Sequence, residues 1–152
     1  MKKQQLIKLK EQCNACKACS LCTNFVGGKD PHVFSYGNIN SSVIFIGMNP
    51  GKDEVEQKRP FVGKAGQLLD ILLTHAGIED RKYIYISNIV RCYTIGLREP
   101  TPEERTHCIH FLQDEIEIIK PKLLVAMGNF ALESLIGCRS IMSIHGKIHD
   151  SK

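Results

Sequence analysis

No stretch of this 152-residue chain comes near the roughly 18 consecutive apolar residues that a membrane-crossing helix needs. A secretory signal is missing too: MKKQQLIKLKEQC carries lysines but has neither an apolar core nor a small-residue cleavage site. Internal repeats, low-complexity tracts and linkers are absent, so a single domain over residues 1–152 is expected. Excess charge is scarce as well. Twenty Lys+Arg against 16 Asp+Glu leave a net charge of +4, which suits a polyanionic partner without demanding one. These absences predict a cytoplasmic chain with no membrane partner.

What is plentiful is cysteine, with seven in an otherwise ordinary composition of 43% hydrophobic and 24% charged residues. In a reducing compartment dense cysteines point to metal or redox chemistry rather than disulfides. Cys13, Cys16, Cys19 and Cys22 form a C-x2-C-x2-C-x2-C run, while Cys92, Cys108 and Cys138 are dispersed. One C-x2-C pair reaches a single metal centre within a turn of chain. Four successive cysteines at this spacing would strain the backbone around one centre, so two ligands from the run and two from elsewhere are expected, with Cys92 and Cys108 the natural partners. Iron–sulfur and four-cysteine zinc both remain open on these residues alone. Cys138 suits a small buried hydrophobe.

Secondary-structure signals alternate along the chain. Leu6 and Leu9 mark a helix before Cys13, and residues 23–41 read as loop with one short strand at His32–Tyr36. SVIFIG (42–47), YIYISNIV (83–90) and KLLVAMG (122–128) read as buried strands. Between them Ala65, Leu68, Leu69, Leu72, Leu73 and Ala76 recur at helical spacing, with Gly77 as a C-terminal stop. Thr101-Pro102-Glu103-Glu104 is a capping box opening a helix through Cys108, Phe111, Leu112, Ile116 and Ile119, and 129–137 reads as another short helix. The predicted fold is α/β, three-layer α/β/α with a central, mainly parallel sheet. In such a sheet ligands sit beyond the carboxyl ends of the strands, here the loops Met48–Gly63, Arg91–Thr101 and Asn129 onward.

Four blocks now resemble, in order and spacing, the family 4 (iron–sulfur) uracil-DNA glycosylases: CKAC (16–19), RPFVGKAGQLLD (59–70), YISNIVRC (85–92) and EPTPEERTHCIHFL (99–112). IKPKLLVAMGNFALESLIG (119–137) fits as well. The resemblance implies a [4Fe–4S] cluster on Cys16, Cys19, Cys92 and Cys108, with Cys13 and Cys22 as extras and the cluster structural. It implies uracil-containing DNA, single- or double-stranded, as partner, with no obligate protein partner, and hydrolysis of the N-glycosidic bond of uracil or another deaminated base. Phe61 would stack on the extruded base, and Asn88 would pair with its edge through an amide that offers both donor and acceptor.

Gly47-Met48-Asn49-Pro50-Gly51 departs from the family, which usually carries an acid where Met48 stands. GMNPG resembles instead the first motif of the mismatch-specific and single-strand-selective branches, in which an asparagine positions the attacking water. Asn49 takes that place, and general-base help falls to Asp53 or Glu54. Gly47, Met48, Pro50 and Gly51 are expected to line the pocket. Lys52, Lys58, Arg59, Lys64 and Arg98, with the helix opening at 63–66, are candidate phosphate contacts.

The family's second motif, a histidine after a fourth core strand, has no counterpart before Lys152, and His145 and His149 are expected to be surface residues. A C-terminally truncated domain is therefore expected. The competing readings are a catalytically weak or inactive iron–sulfur DNA-binding module and, from the cysteine run alone, a ferredoxin-like carrier.

Overall fold

The computed structural model describes residues 1–150; the last two residues of the expected 1–152 domain lie outside them. Four strands form one sheet in the order β1 (Tyr36–Gly37), β3 (Tyr85–Asn88), β2 (Val43–Gly47), β4 (Leu123–Ala126). β2 runs parallel to β3 and β4, and only β1 is antiparallel. The crossover from β2 to β3 carries α2 (Lys52–Gln57) and α3 (Lys64–His75), and the one from β3 to β4 carries α4 (Pro102–Ile119). α1 (Lys2–Asn14), α5 (Asn129–Ile136) and α6 (Ile141–Ile144) complete the chain. The α/β/α layering and mainly parallel sheet match the sequence expectation.

Strand alternation sorts the core into two faces. Ile44, Ile46 and Tyr85 face Leu6 and Leu9 of α1, Phe111, Leu112 and Ile119 of α4, and Phe130 and Ala131 of α5. Phe45 and Ile86 face Leu69 and Leu73 of α3. α4 starts where the capping box predicts: Thr101 Oγ1 accepts from the Glu104 amide at 3.2 Å, and Glu104 Oε2 accepts from the Thr101 amide at 2.7 Å. No helix among the described residues is long and apolar enough to cross a membrane.

Four local expectations need correction. The strand lies at Tyr36–Gly37, not His32–Tyr36; His32 makes one isolated bridge to Cys92, and its ring is bonded to Asp30 and to the Cys16 carbonyl. The Met48–Gly63 loop contains α2, a six-residue helix with Asp53 and Glu54 in its first turn, where acids favour the helix dipole. Leu68 and Leu72 of α3 are exposed, because the helix turns Gly66, Leu69 and Leu73 to the sheet. β4 is half-buried, not buried, since it is an edge strand and Leu123 is exposed.

Candidate functional site

The carboxyl ends of β2 and β3 open onto a cleft of about 800 Å³, within the range typical of small-molecule sites. Asn49, Gly51, Asp53, Glu54, Phe61 and Asn88 of the expected site line it, with Lys52 and Lys64. Gly47, expected to line the cleft, is instead buried behind it, under Phe61 and Asn88: a Cβ there would fall 2.4 Å from Phe61 Cζ and 2.7 Å from Asn88 Oδ1. Phe61 holds its ring over Gly47 from a left-handed backbone (φ 56°), costly for a non-glycine residue. The turn is packed so tightly that a Cβ on Gly66 would lie 1.8 Å from the Phe61 carbonyl oxygen. Only glycine lets α3 begin there.

Two amide oxygens in this cleft are buried and without a partner among the described residues, Asn49 Oδ1 and Asn88 Oδ1. A buried, unbonded polar atom costs free energy on the order of 1–3 kcal/mol. At a cleft wall, that cost is recovered when a ligand donor arrives. The Asn49 amide is anchored through Nδ2, which donates to the Pro50 carbonyl at 3.1 Å and to Thr94 Oγ1 at 3.0 Å.

Glu54 is differently engaged. Its Oε2 accepts from the Gly51 amide at 3.0 Å, and its Oε1 from the Val62 and Gly63 amides at 2.8 Å each. The expected catalytic Glu54 is thus a clamp that ties α2 to the Phe61 turn. Asp53 is the exposed acid of the pair and lies beside Gly63, where a Cβ would stand 3.0 Å from Asp53 Oδ2. Met48 packs against the core on the α4 face instead of lining the cleft, because residues alternate at the end of β2. Pro50 is buried and contributes its carbonyl to Asn49.

Lys58 donates to the carbonyls of Asp30 and His32, Arg59 stacks 4.0 Å above the Tyr36 ring, and Arg98 forks onto both Glu104 oxygens. Lys52 and Lys64 are the expected phosphate contacts that stand on the cleft. His145 and His149 are exposed and do not line it. Tyr93, Ile95 and Leu97, which form the opposite wall, were not anticipated; their signal was the position of the Arg91–Thr101 loop beyond β3.

A second cavity, on the α4 side of the sheet, is lined by Cys16, Cys19, Cys22, Cys92 and Cys108 with His32, Arg91 and His107. Cys13 does not line it; it is fully buried in the core with Leu6 and Leu9, in the same cluster as Cys92 and Cys108. Burial pushes the Cys92 thiol far up, Cys108 up to about 11 and Cys13 up to about 12, and it raises Cys19 too. Thiols so buried stay protonated unless a cationic centre compensates them. Among the described residues no three Cys, His, Asp or Glu side chains are grouped closely enough to hold one metal ion.

Arg91, with 1% of its surface exposed, runs beneath this cavity. Its amide donates to Cys108 Sγ at 3.2 Å and its Nη2 to Glu115 Oε2 at 2.8 Å. Glu115 also accepts from Ser87 at 2.7 Å, from Tyr85 at 3.3 Å and from Ser35. Nothing in the spacing of residues 91 and 115 announced this pair.

Taken together, these features define an open-sheet α/β protein whose ligand cleft lies at the carboxyl ends of its parallel strands, backed by a cysteine-lined cavity. The family model described as the uracil DNA glycosylase superfamily matches residues 34–151. The chain is 40% identical over 131 residues to the type-4 uracil-DNA glycosylase of Thermotoga maritima, covering 86% of this chain and 66% of that protein. It is 33% identical over 144 residues to the type-4 enzyme of Archaeoglobus fulgidus, covering 90% and 68%. A DNA polymerase of Bacillus phage SP01 is 32% identical over 114 residues, which make up 12% of that protein. This chain belongs to the uracil DNA glycosylase superfamily. It spans about two thirds of the length of the type-4 relatives it matches.

Proposed function

We propose that this chain carries the base-recognition and water-positioning residues of a DNA glycosylase that releases uracil from DNA. The observation behind this reading is the pair of unpartnered amide oxygens, Asn49 Oδ1 and Asn88 Oδ1, in one cleft. An extruded uracil between Phe61 and the Asn88 edge would give its N3–H to Asn88 Oδ1 and accept at O4 from Nδ2. Uracil thus answers the unpaired acceptor, whereas cytosine carries no proton at N3. Asn49 Oδ1 accepts one proton of a water, whose lone pair then faces C1′ of the sugar. The C1′–N1 bond breaks with its electron pair leaving on the base, the water oxygen bonds to C1′, and Asp53 is the nearby acid free to take the water's proton. Lys52 and Lys64 would meet the flanking phosphates.

Cys16, Cys19, Cys92 and Cys108 would hold a [4Fe–4S] cluster in the second cavity, and Cys22 is the alternative ligand on the same wall. Such a cluster supplies a structural tie between the N-terminal segment, the end of β3 and α4. The cysteine-lined cavity and the resemblance of CKAC, YISNIVRC and EPTPEERTHCIHFL to the iron–sulfur family support this choice over zinc.

The test is release of uracil from single- and double-stranded oligonucleotides by anaerobically purified protein, with iron assayed alongside. Release that Asn49→Ala abolishes supports the reading. Stoichiometric iron with no release by any preparation would favour a binding module and overturn the catalytic part.

A further inference from the structure

We infer that Thr94 is a positioning residue that decides which atom of the Asn49 amide the cleft presents to water. The inference rests on the reading of Asn49 given above and adds to it the cause of the amide's orientation. Thr94 is fully buried and stands behind the wall formed by its neighbours Tyr93 and Ile95. Its Oγ1 lies 2.7 Å from the Arg98 carbonyl oxygen and 3.0 Å from Asn49 Nδ2.

A carbonyl oxygen can only accept, so the single hydroxyl proton of Thr94 is committed to Arg98. What Oγ1 has left for Asn49 is lone pairs. The Pro50 carbonyl, 3.1 Å from Nδ2, is a second obligate acceptor. Nδ2 has two protons and meets two acceptors. Turned over, the amide would set Oδ1 against both with no proton between them. The NH2 end is therefore pinned, and Oδ1, buried and without a partner, is the amide atom that this cleft-lining residue has left for a ligand.

That polarity matters chemically. An acceptor binds water through one of its protons and leaves a lone pair free to attack. An NH2 group in the same place would bind the lone pair and blunt the nucleophile. Thr94 acts through Asn49 and needs no contact with substrate.

Thr94→Val keeps the β-branched shape and removes the hydroxyl, whereas Thr94→Ser keeps the hydroxyl. Single-turnover uracil release from a uracil-containing oligonucleotide should fall about 10- to 100-fold in Thr94→Val, the scale of a misplaced reacting group. Oligonucleotide affinity should stay within about twofold, as expected for an interaction made only in the transition state. Thr94→Ser should recover most of the rate, and the Thr94→Val/Asn49→Ala double variant should be no slower than Asn49→Ala alone. A Thr94→Val rate equal to wild type, while Asn49→Ala is slow, overturns the inference and leaves the reading of Asn49 standing. Wild-type rates in both single variants overturn both. Additive losses overturn the inference, since Thr94 would then act independently of Asn49.

Protein that releases no uracil is read by NMR on the Asn49 carboxamide protons. Slow solvent exchange in wild type and Thr94→Ser with fast exchange in Thr94→Val supports the inference. Equal exchange in all three overturns it.

Discussion

Gly47 and Asn88 are register partners at the ends of adjacent parallel strands, and a Cβ on Gly47 would lie 2.7 Å from Asn88 Oδ1. It would also lie 2.4 Å from Phe61 Cζ. One methyl group therefore displaces both the amide proposed to read the base edge and the ring proposed to stack on the base. Gly47→Ala is expected to keep the fold, because both obstacles are side chains, yet to lower uracil release by about 10²-fold, the cost of shifting reacting partners by roughly an ångström. Near-UV circular dichroism and single-turnover assays would check the two halves. Unimpaired release would show that the base does not sit against Phe61 and Asn88.

Asn88→Ala separates recognition from binding. The variant removes the acceptor proposed for N3–H and leaves Lys52 and Lys64 in place. Loss of a buried hydrogen-bonding partner, about 1–3 kcal/mol, corresponds to roughly 5- to 150-fold weaker selection of uracil over cytosine, whereas thymine, with the same N3–H and O4, is not sorted by this amide. Affinity for undamaged duplex should hardly change. Equal loss of both in a filter-binding comparison would remove Asn88 from the recognition role.

The sheet was legible because β2 and β3 are continuous apolar runs and the Thr101–Glu104 box fixes the start of α4. α2 was not, since it is short and buries only Val55. The duty of Glu54 was hidden for a different reason. Its partners at Val62 and Gly63 come within reach only through the left-handed turn at Phe61, which is a property of the folded backbone. Asn49 and Asn88 stood out as amides at strand ends, but the role of Thr94 needed the Arg98 carbonyl 2.7 Å away, a relation between loop atoms with no sequence pattern. Leu68 and Leu72 show the converse, with helical spacing predicting burial on a face that the sheet does not reach.

The cysteine cavity makes a prediction about composition rather than rate. Cys92→Ser should lose the iron and lower thermal stability, because Cys92 joins the end of β3 to the N-terminal segment across the cavity. Cys13→Ser should keep full iron, as Cys13 packs with Leu6 and Leu9 outside the cavity lining. Iron analysis with the visible absorbance of each variant checks both. Iron lost from Cys13→Ser but retained by Cys92→Ser would reverse the ligand set.

Arg91 and Glu115 form a buried pair with side chains 1% and 0% exposed. Removing one partner of such a pair strands the other charge, at a cost of about 3–5 kcal/mol. Glu115→Ala also leaves the Ser87 hydroxyl without its acceptor. Its midpoint in urea should fall well below that of Glu117→Ala, an exposed control on the same helix. Matching midpoints would mean that water or a shifted Arg91 restores the network.

Acid should weaken the start of α4 through Glu104. Its bonds from Arg98, and then from the Thr101 amide, hold the carboxyl below the ordinary glutamate value. A pKa lower in the folded than in the unfolded chain means that the unfolded chain binds the proton first. Glu104 therefore contributes stability that is full above the unfolded value near 4.5 and drains away as pH falls through the folded one. Glu104→Gln should be less stable than wild type at pH 7, and the gap should narrow as the pH is taken into the acid range. Arg98 is half exposed, so salt should shrink the gap as well. Melting curves of both proteins from pH 7 downward, at low and high salt, check the sign. A gap that widens in acid would mean that Glu104 is already protonated in the folded chain and that its bond from the Arg98 guanidinium does not govern the helix start.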